Sequence, residues 1–172
     1  NSWIIDDTYN ASPSSMRLAL SVLRELPIRR IRQAHRGEFI EPQAQGKPAK
    51  KIAVLGDMLE LGKYTVQAHQ AIGDLAGRFV DVLVCVGARS KFIADSAENE
   101  MAKDKIFHFD TSDLAKKKVQ ELIEEGDLIL VKGSQGIRME RVVEEIMSEP
   151  EKKNNLLVRQ SKKWSRLTSH KV

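Results

Sequence analysis

Two stretches of the chain bring together side chains that could do chemistry. Asp6-Asp7-Thr8-Tyr9-Asn10-Ala11-Ser12-Pro13 follows the short apolar run Trp3-Ile4-Ile5 and breaks from it abruptly into acids and turn formers. Asp7 is of a type to accept hydrogen bonds from sugar hydroxyls, and Tyr9 and Asn10 could contact a base or a phosphate. Asp and Asn also populate tight loops for backbone reasons alone. Lys132-Gly133-Ser134-Gln135-Gly136 offers an ammonium, a hydroxyl, an amide and two glycines that expose backbone N–H groups. Such a corner at a helix N-terminus suits a carboxylate or phosphate oxygen, and Arg138 could add a bidentate contact. As pure structure, a glycine-rich strand-to-helix turn is equally common.

A third loop, Gly56-Asp57-Met58-Leu59-Glu60-Leu61-Gly62-Lys63, presents Asp57 and Glu60. It resembles a phosphate-cradling P-loop but fails the spacing, because five residues rather than four separate Gly56 from Gly62. Tyr64 also stands where the magnesium-binding Ser or Thr belongs. There is no GxGxxG, HExxH, DxDxDG or Ser-His-Asp constellation in the sequence. His69 is a lone helical histidine, expected to be structural. Cys85 is the only cysteine and lies in the apolar run Val82 to Val86, so it is expected to be a small buried side chain. The expectation is an anion-friendly edge with no catalytic residue and no metal site of its own.

The elements that position these loops follow from periodicity. Apolar runs at Trp3-Ile5, Ile52-Leu55, Val82-Val86, Ile106-Phe109 and Asp127-Val131 read as strands. Helical spacing predicts helices after Ser14 or Ser15, over Thr65 to Arg78, around Ser90 to Met101, from Ser112 or Asp113 to Glu125, and from Ile137 to Met147. Strands alternating with helices imply right-handed crossovers, hence an α/β three-layer, doubly wound domain with a mostly parallel sheet of about five to six strands. In such sheets ligands bind at the carboxyl ends of strands, where all three loops lie.

The net charge of +4 over 172 residues is unevenly spread. Residues 28–51 carry +5 and residues 151–172 carry +6, which leaves the remainder at −7. The basicity therefore sits in an insert and a tail around a domain of residues 1–150, which argues against a nucleic-acid-binding core. Pro42, Pro48, Gly37 and Gly46 punctuate the insert, which is expected to be a long surface loop or extra hairpin. Only Leu156, Leu157, Val158 and Trp164 of the tail can pack, so part of it should dock and its end should fray. No apolar run approaches the roughly 20 residues of a spanning helix, and the acidic opening is no signal peptide. A cytoplasmic monomer is expected. A chain that opens so close to a buried-type strand reads as cut from something longer.

The three loops in this order, with Ser15-Met16 after the first and Ile137-Arg138-Met139-Glu140 after the last, closely resemble the C-terminal domain of the Mur ligases. The resemblance covers roughly Trp3 to Met147. It implies a Rossmann-like domain that closes on a central P-loop ATPase domain and an N-terminal UDP-sugar domain, which become its partners. It further implies ATP-dependent, magnesium-dependent amide formation through an acyl phosphate, with ATP and Mg bound mainly by the central domain. Among the branches, the motifs fit addition of D-Ala-D-Ala to UDP-N-acetylmuramoyl-tripeptide better than the related folate polyglutamate ligase. A stand-alone binding module on the same fold is a further alternative. By the resemblance, Asp7 would contact the ATP ribose, with Tyr9 and Asn10 near the nucleotide. Lys132, Gly133, Ser134, Gln135, Gly136 and Arg138 would help hold D-Ala-D-Ala. Asp57 and Glu60 match the pattern without an assigned role. Two features depart from it: Ser12 replaces the more usual Asn, and the 28–51 stretch is longer than usual.

Overall fold

The computed structural model describes residues 2–28 and 49–161. Nearly all of the basic insert and the distal tail with Trp164 lie outside the described residues. Five strands, β1 (Trp3–Asp7), β2 (Lys51–Gly56), β3 (Val82–Val86), β4 (Ile106–Phe109) and β5 (Leu128–Lys132), form one sheet. Its order is β1-β5-β2-β3-β4, and every neighbouring pair is parallel. The helices are α1 (Pro13–Glu25), α2 (Thr65–Gly77), α3 (Lys91–Ala97), α4 (Ser112–Leu122), α5 (Glu140–Ile146) and the short α6 (Lys153–Leu156).

The central strands are apolar without alternation because both of their faces are covered. Ala53, Leu55, Leu83, Cys85, Leu128 and Leu130 pack on one side with Met16, Leu20 and Leu23 of α1, Ile72 of α2 and Ile93 of α3. Ile52, Val54, Val82, Val84, Ile129 and Val131 pack on the other with Ala115 and Val119 of α4 and Val142 and Val143 of α5. The result is the expected three layers, with the sheet at the lower end of the expected strand number. Among the described residues no helix is long and apolar enough to cross a membrane.

The helices differ from expectation at their starts. α1 is capped by Ser12, not by Ser14 or Ser15. The Ser12 hydroxyl accepts from Ser15 N at 3.2 Å, the Ser15 hydroxyl accepts from Ser12 N at 2.9 Å, and Pro13 occupies the first turn. Thr111, one residue ahead of the expected caps, starts α4 by accepting from Leu114 N. α3 is shorter than expected, ending at Ala97, and α4 ends at Leu122. The helix expected from Ile137 is interrupted: Gln135–Ile137 forms a single 3-10 turn, Arg138 is left-handed at φ 61°, and α5 begins only at Glu140. The tail docks in part, since Leu157 is buried against the α4 and α5 layer, whereas Leu156 is exposed.

Strand register brings the carboxyl ends level: Asp7 and Leu55 each pair with Lys132, Gly56 pairs with Val86, and Val86 pairs with Phe109. α1, α2 and α3 lie on one face and α4 and α5 on the other. Chain leaving neighbouring strands therefore parts to opposite faces between β1 and β5, between β5 and β2, and between β3 and β4. These partings are the crevices where an open α/β sheet accommodates ligands.

Candidate functional site

The first loop is shaped by its own acids and by a lysine from β5. Asp6 Oδ1 accepts from Thr8 N at 3.1 Å and from the Thr8 hydroxyl at 2.7 Å, which turns the chain directly after β1. The Lys132 side chain is buried, and its ammonium donates to Asp7 Oδ2 at 2.7 Å and to the Asn10 carbonyl at 2.8 Å. The loop is thus held from beneath while Asp7 stays 43% exposed and Tyr9 73% exposed. Asn10 is also exposed, its side-chain oxygen accepting from Ala11 N at 2.8 Å.

Ser134 ties all three loops together. Its hydroxyl donates to the Ala11 carbonyl at 3.2 Å and accepts from Leu59 N at 2.9 Å, while its own N–H donates to the Asp57 carbonyl at 2.9 Å. Gly133 permits this closeness. A Cβ there would lie 2.6 Å from Met139 Cγ and 3.0 Å from Gly56 Cα, where the backbone cannot give way. Within the second loop, Met58 N donates to His69 Nε2 at 3.0 Å, and His69 Nδ1 lies 2.7 Å from the Thr65 carbonyl. These partners fix the neutral imidazole with its proton on Nδ1. Burial depresses the His69 pKa, and the Thr65 contact and Asp57 counter that only in part. His69 is a pin for the loop. Cys85 is fully buried, and burial pushes its thiol up beyond the range of a reactive thiolate.

The charges expected to face a ligand from the third loop turn inward. Arg138 is buried, and its Nε donates to Glu140 Oε1 at 2.5 Å. Glu140 is buried too and also faces Arg159, whose Nη1 lies 3.4 Å from Oε2. Arg159 is almost fully covered and donates to the carbonyls of Thr8 and Tyr9. Gln135 is exposed, as is Glu60, which is left-handed at φ 63°.

Beside these loops, a cleft of ≈ 640 Å³ opens at the parting of β3 and β4. Its walls come from Asp57 and Leu59, from Gly87 to Arg89 after β3, from Asp110, Thr111, Asp113 and Leu114 after β4, and from Gly136 and Ile137. Asp57 is buried at its base, with Oδ1 accepting from Ser90 N at 2.6 Å and Oδ2 lying 3.6 Å from the guanidinium of Arg89. Gly87 is required there, since at φ +108° a Cβ would sit 2.5 Å from Asp57 Oδ1. Arg89 is half exposed and Asp110 is exposed, while Asp113, also in the wall, is half exposed and pairs with Lys116 and Arg141, so the cleft offers a cation and carboxylates to a small molecule. Arg89, Asp110 and Thr111 are absent from the sequence-based set. The rule that selected the other loops, the carboxyl ends of parallel strands, applies equally to β3 and β4 and would have found them.

Residues 38–135 match the model of the Mur ligase, glutamate ligase domain, more than half of the chain. The chain belongs to the Mur ligase family. This Mur ligase domain is 32% identical over 148 residues to the UDP-N-acetylmuramoyl-tripeptide--D-alanyl-D-alanine ligase of Bacillus subtilis, a match covering 86% of the chain and 28% of that relative. It is 34% identical over 160 residues to the ligase of the same name from Buchnera aphidicola, covering 89% of the chain and 28% of the relative. Among solved structures it is similar to the MurF ligase from Thermotoga maritima in complex with ADP, with a TM-score of 0.62 and 26% identity, covering 88% of this chain and 29% of that one. MurF from Acinetobacter baumannii gives a TM-score of 0.65 and 29% identity over 84% of this chain and 28% of that one. The Mur ligase domain thus spans less than a third of the length of these relatives.

Proposed function

We propose that this domain is the C-terminal, closing domain of an ATP-dependent ligase that joins D-Ala-D-Ala to UDP-N-acetylmuramoyl-tripeptide. In that reaction the substrate carboxylate takes the γ-phosphoryl group of ATP, releasing ADP. The dipeptide amine then displaces phosphate from the acyl phosphate to form the amide. ATP and magnesium are held mainly by a central domain outside this chain. Among the described residues no group of three or more His, Cys, Asp or Glu side chains could hold a metal ion. The domain is residues 1–150 with a basic tail, working in the cytoplasm as part of a monomeric enzyme with its N-terminal and central domains as partners.

One observation carries the reading. The Ser134 hydroxyl knits the three family motifs into a single edge, with half-exposed Asp7 and exposed Tyr9 and Asn10 at one end and the Arg89 cleft at the other. The two ends divide the labour. Asp7, Tyr9 and Asn10 contact the nucleotide, Asp7 through the ribose hydroxyls. The acceptor dipeptide meets Gln135 and the Gly136 main chain, with its carboxylate toward Arg89 and its ammonium toward Asp110. Lys132, Gly133, Ser134 and Arg138 serve the acceptor by shaping the loop, because their polar groups or backbone are engaged inside the domain. Glu60, exposed at the rim, is a contact for the facing domain. Closure excludes water from the acyl phosphate, which would otherwise hydrolyse.

The test is an acceptor assay on the full-length protein with ATP, magnesium and UDP-N-acetylmuramoyl-tripeptide. We expect ADP release that depends on D-Ala-D-Ala and yields the pentapeptide product. Turnover with glutamate in place of the dipeptide would move the domain to the folate polyglutamate branch, and turnover with neither would leave a binding module.

A further inference from the structure

The segment after α6 lies outside the three motifs, yet it reaches the first loop. Leu157 is buried against α5, and Lys153 Nζ lies 2.5 Å from Glu144 Oε1, so two anchors lay the segment along that helix. Arg159, left-handed at φ 59°, then turns its side chain under the loop. Its Nη1 donates to the Thr8 carbonyl at 2.8 Å, and its Nη2 donates to the Tyr9 carbonyl. Its guanidinium carbon lies 5.7 Å from the centre of the Tyr9 ring, within cation–π range. Glu140, which also pairs with Arg138, faces the guanidinium at 3.4 Å. Lys132 takes the next carbonyl, that of Asn10, at 2.8 Å. Three successive carbonyls, Thr8 to Asn10, are therefore held by two covered cationic side chains, one from β5 and one from the segment after α6.

We propose that Arg159 is a positioning residue for nucleotide binding, holding the Thr8 and Tyr9 carbonyls so that the first loop meets the nucleotide already formed. The inference rests on the reading of Asp7, Tyr9 and Asn10 as nucleotide contacts. A loop with two of its three carbonyls released must be reordered by the nucleotide, which weakens nucleotide binding and leaves the acceptor cleft untouched. The planar fork of Arg reaches the two carbonyls from two separate nitrogens in a fixed geometry, which the compact, flexible ammonium of Lys does not reproduce.

The experiment compares Arg159→Ala and Arg159→Lys with the wild type in the full-length enzyme, by steady-state kinetics and by amide hydrogen exchange without nucleotide. For Arg159→Ala we expect KM for ATP to rise about tenfold while KM for D-Ala-D-Ala and kcat change less than about twofold, with Arg159→Lys in between. Exchange should quicken in the peptide covering residues 8–12 and stay unchanged in β2 and β3. An unchanged KM for ATP in an active enzyme overturns the proposal. So does unchanged exchange at residues 8–12, or a loss of all kinetic parameters together with protection across the sheet. If the wild type does not ligate D-Ala-D-Ala, the functional reading fails on its own account, and the exchange measurement still decides whether Arg159 holds the loop.

Discussion

Asp7 and Lys132 stand opposite one another in the register of β1 and β5, and their side chains meet in an ion pair of 2.7 Å. The lysine was expected to reach a ligand and instead props the loop that presents Asp7. Replacing it by methionine keeps most of its volume but leaves the Asn10 carbonyl without that donor. We expect Lys132→Met to cost about 1–3 kcal/mol in urea unfolding, in the range for losing a hydrogen bond to a charged group at a covered site. Asp7→Asn should cost a comparable amount, because it leaves the buried Lys132 ammonium without its counter-ion.

Gly133 packs against Gly56 where the second and third loops cross. Gly133→Ala forces Met139 aside and presses on the Gly56 backbone, so we expect a loss of about 1–3 kcal/mol by the same measurement. Shortening the methionine as well, in Gly133→Ala with Met139→Ala, should not restore stability, since the contact with Gly56 remains.

Asp57 is buried and accepts from Ser90 N at 2.6 Å. In Asp57→Ala that N–H is left without its acceptor in a covered place, at a cost of about 1–3 kcal/mol. The wall of the cleft loosens with it. We expect a lower urea midpoint and, in the full-length enzyme, a raised KM for the dipeptide.

His69 makes stability depend on pH. Burial holds its pKa below the ordinary value of 6.5, so the folded domain binds fewer protons than the unfolded chain as pH falls through that value. Its contribution is intact above 6.5 and is lost as pH drops below it. The urea midpoint should fall more steeply between about pH 7.5 and pH 5.5 in the wild type than in His69→Gln, which cannot gain the proton. Parallel profiles would contradict this.

Much of the fold could be read from the chain because buried parallel strands announce themselves. Val82–Val86 and Ile106–Phe109 are bounded as their apolar runs suggest. Caps were misplaced by one or more residues where polar neighbours compete. Ser12 rather than Ser14 starts α1 because Pro13 can enter the first turn, and nothing local separates Thr111 from Ser112. The break at Arg138 was invisible to periodicity, since its conformation accompanies an ion pair with Glu140 that a helical pattern does not register. The loops of the site were found by the strand-end rule. The directions of their side chains were not, because Lys132 and Asp7 are 125 residues apart and Arg159 and Thr8 are 151 apart.

The division of labour along the edge is tested most directly by two-substrate kinetics of Arg89→Ala and Asp7→Ala in the full-length enzyme. We expect Arg89→Ala to raise KM for D-Ala-D-Ala by about tenfold or more while KM for ATP stays within about twofold, and Asp7→Ala to do the reverse. If each variant shifts both constants alike, or if Arg89→Ala leaves the dipeptide constant unchanged, the cleft is not the acceptor site and the account of this edge is wrong.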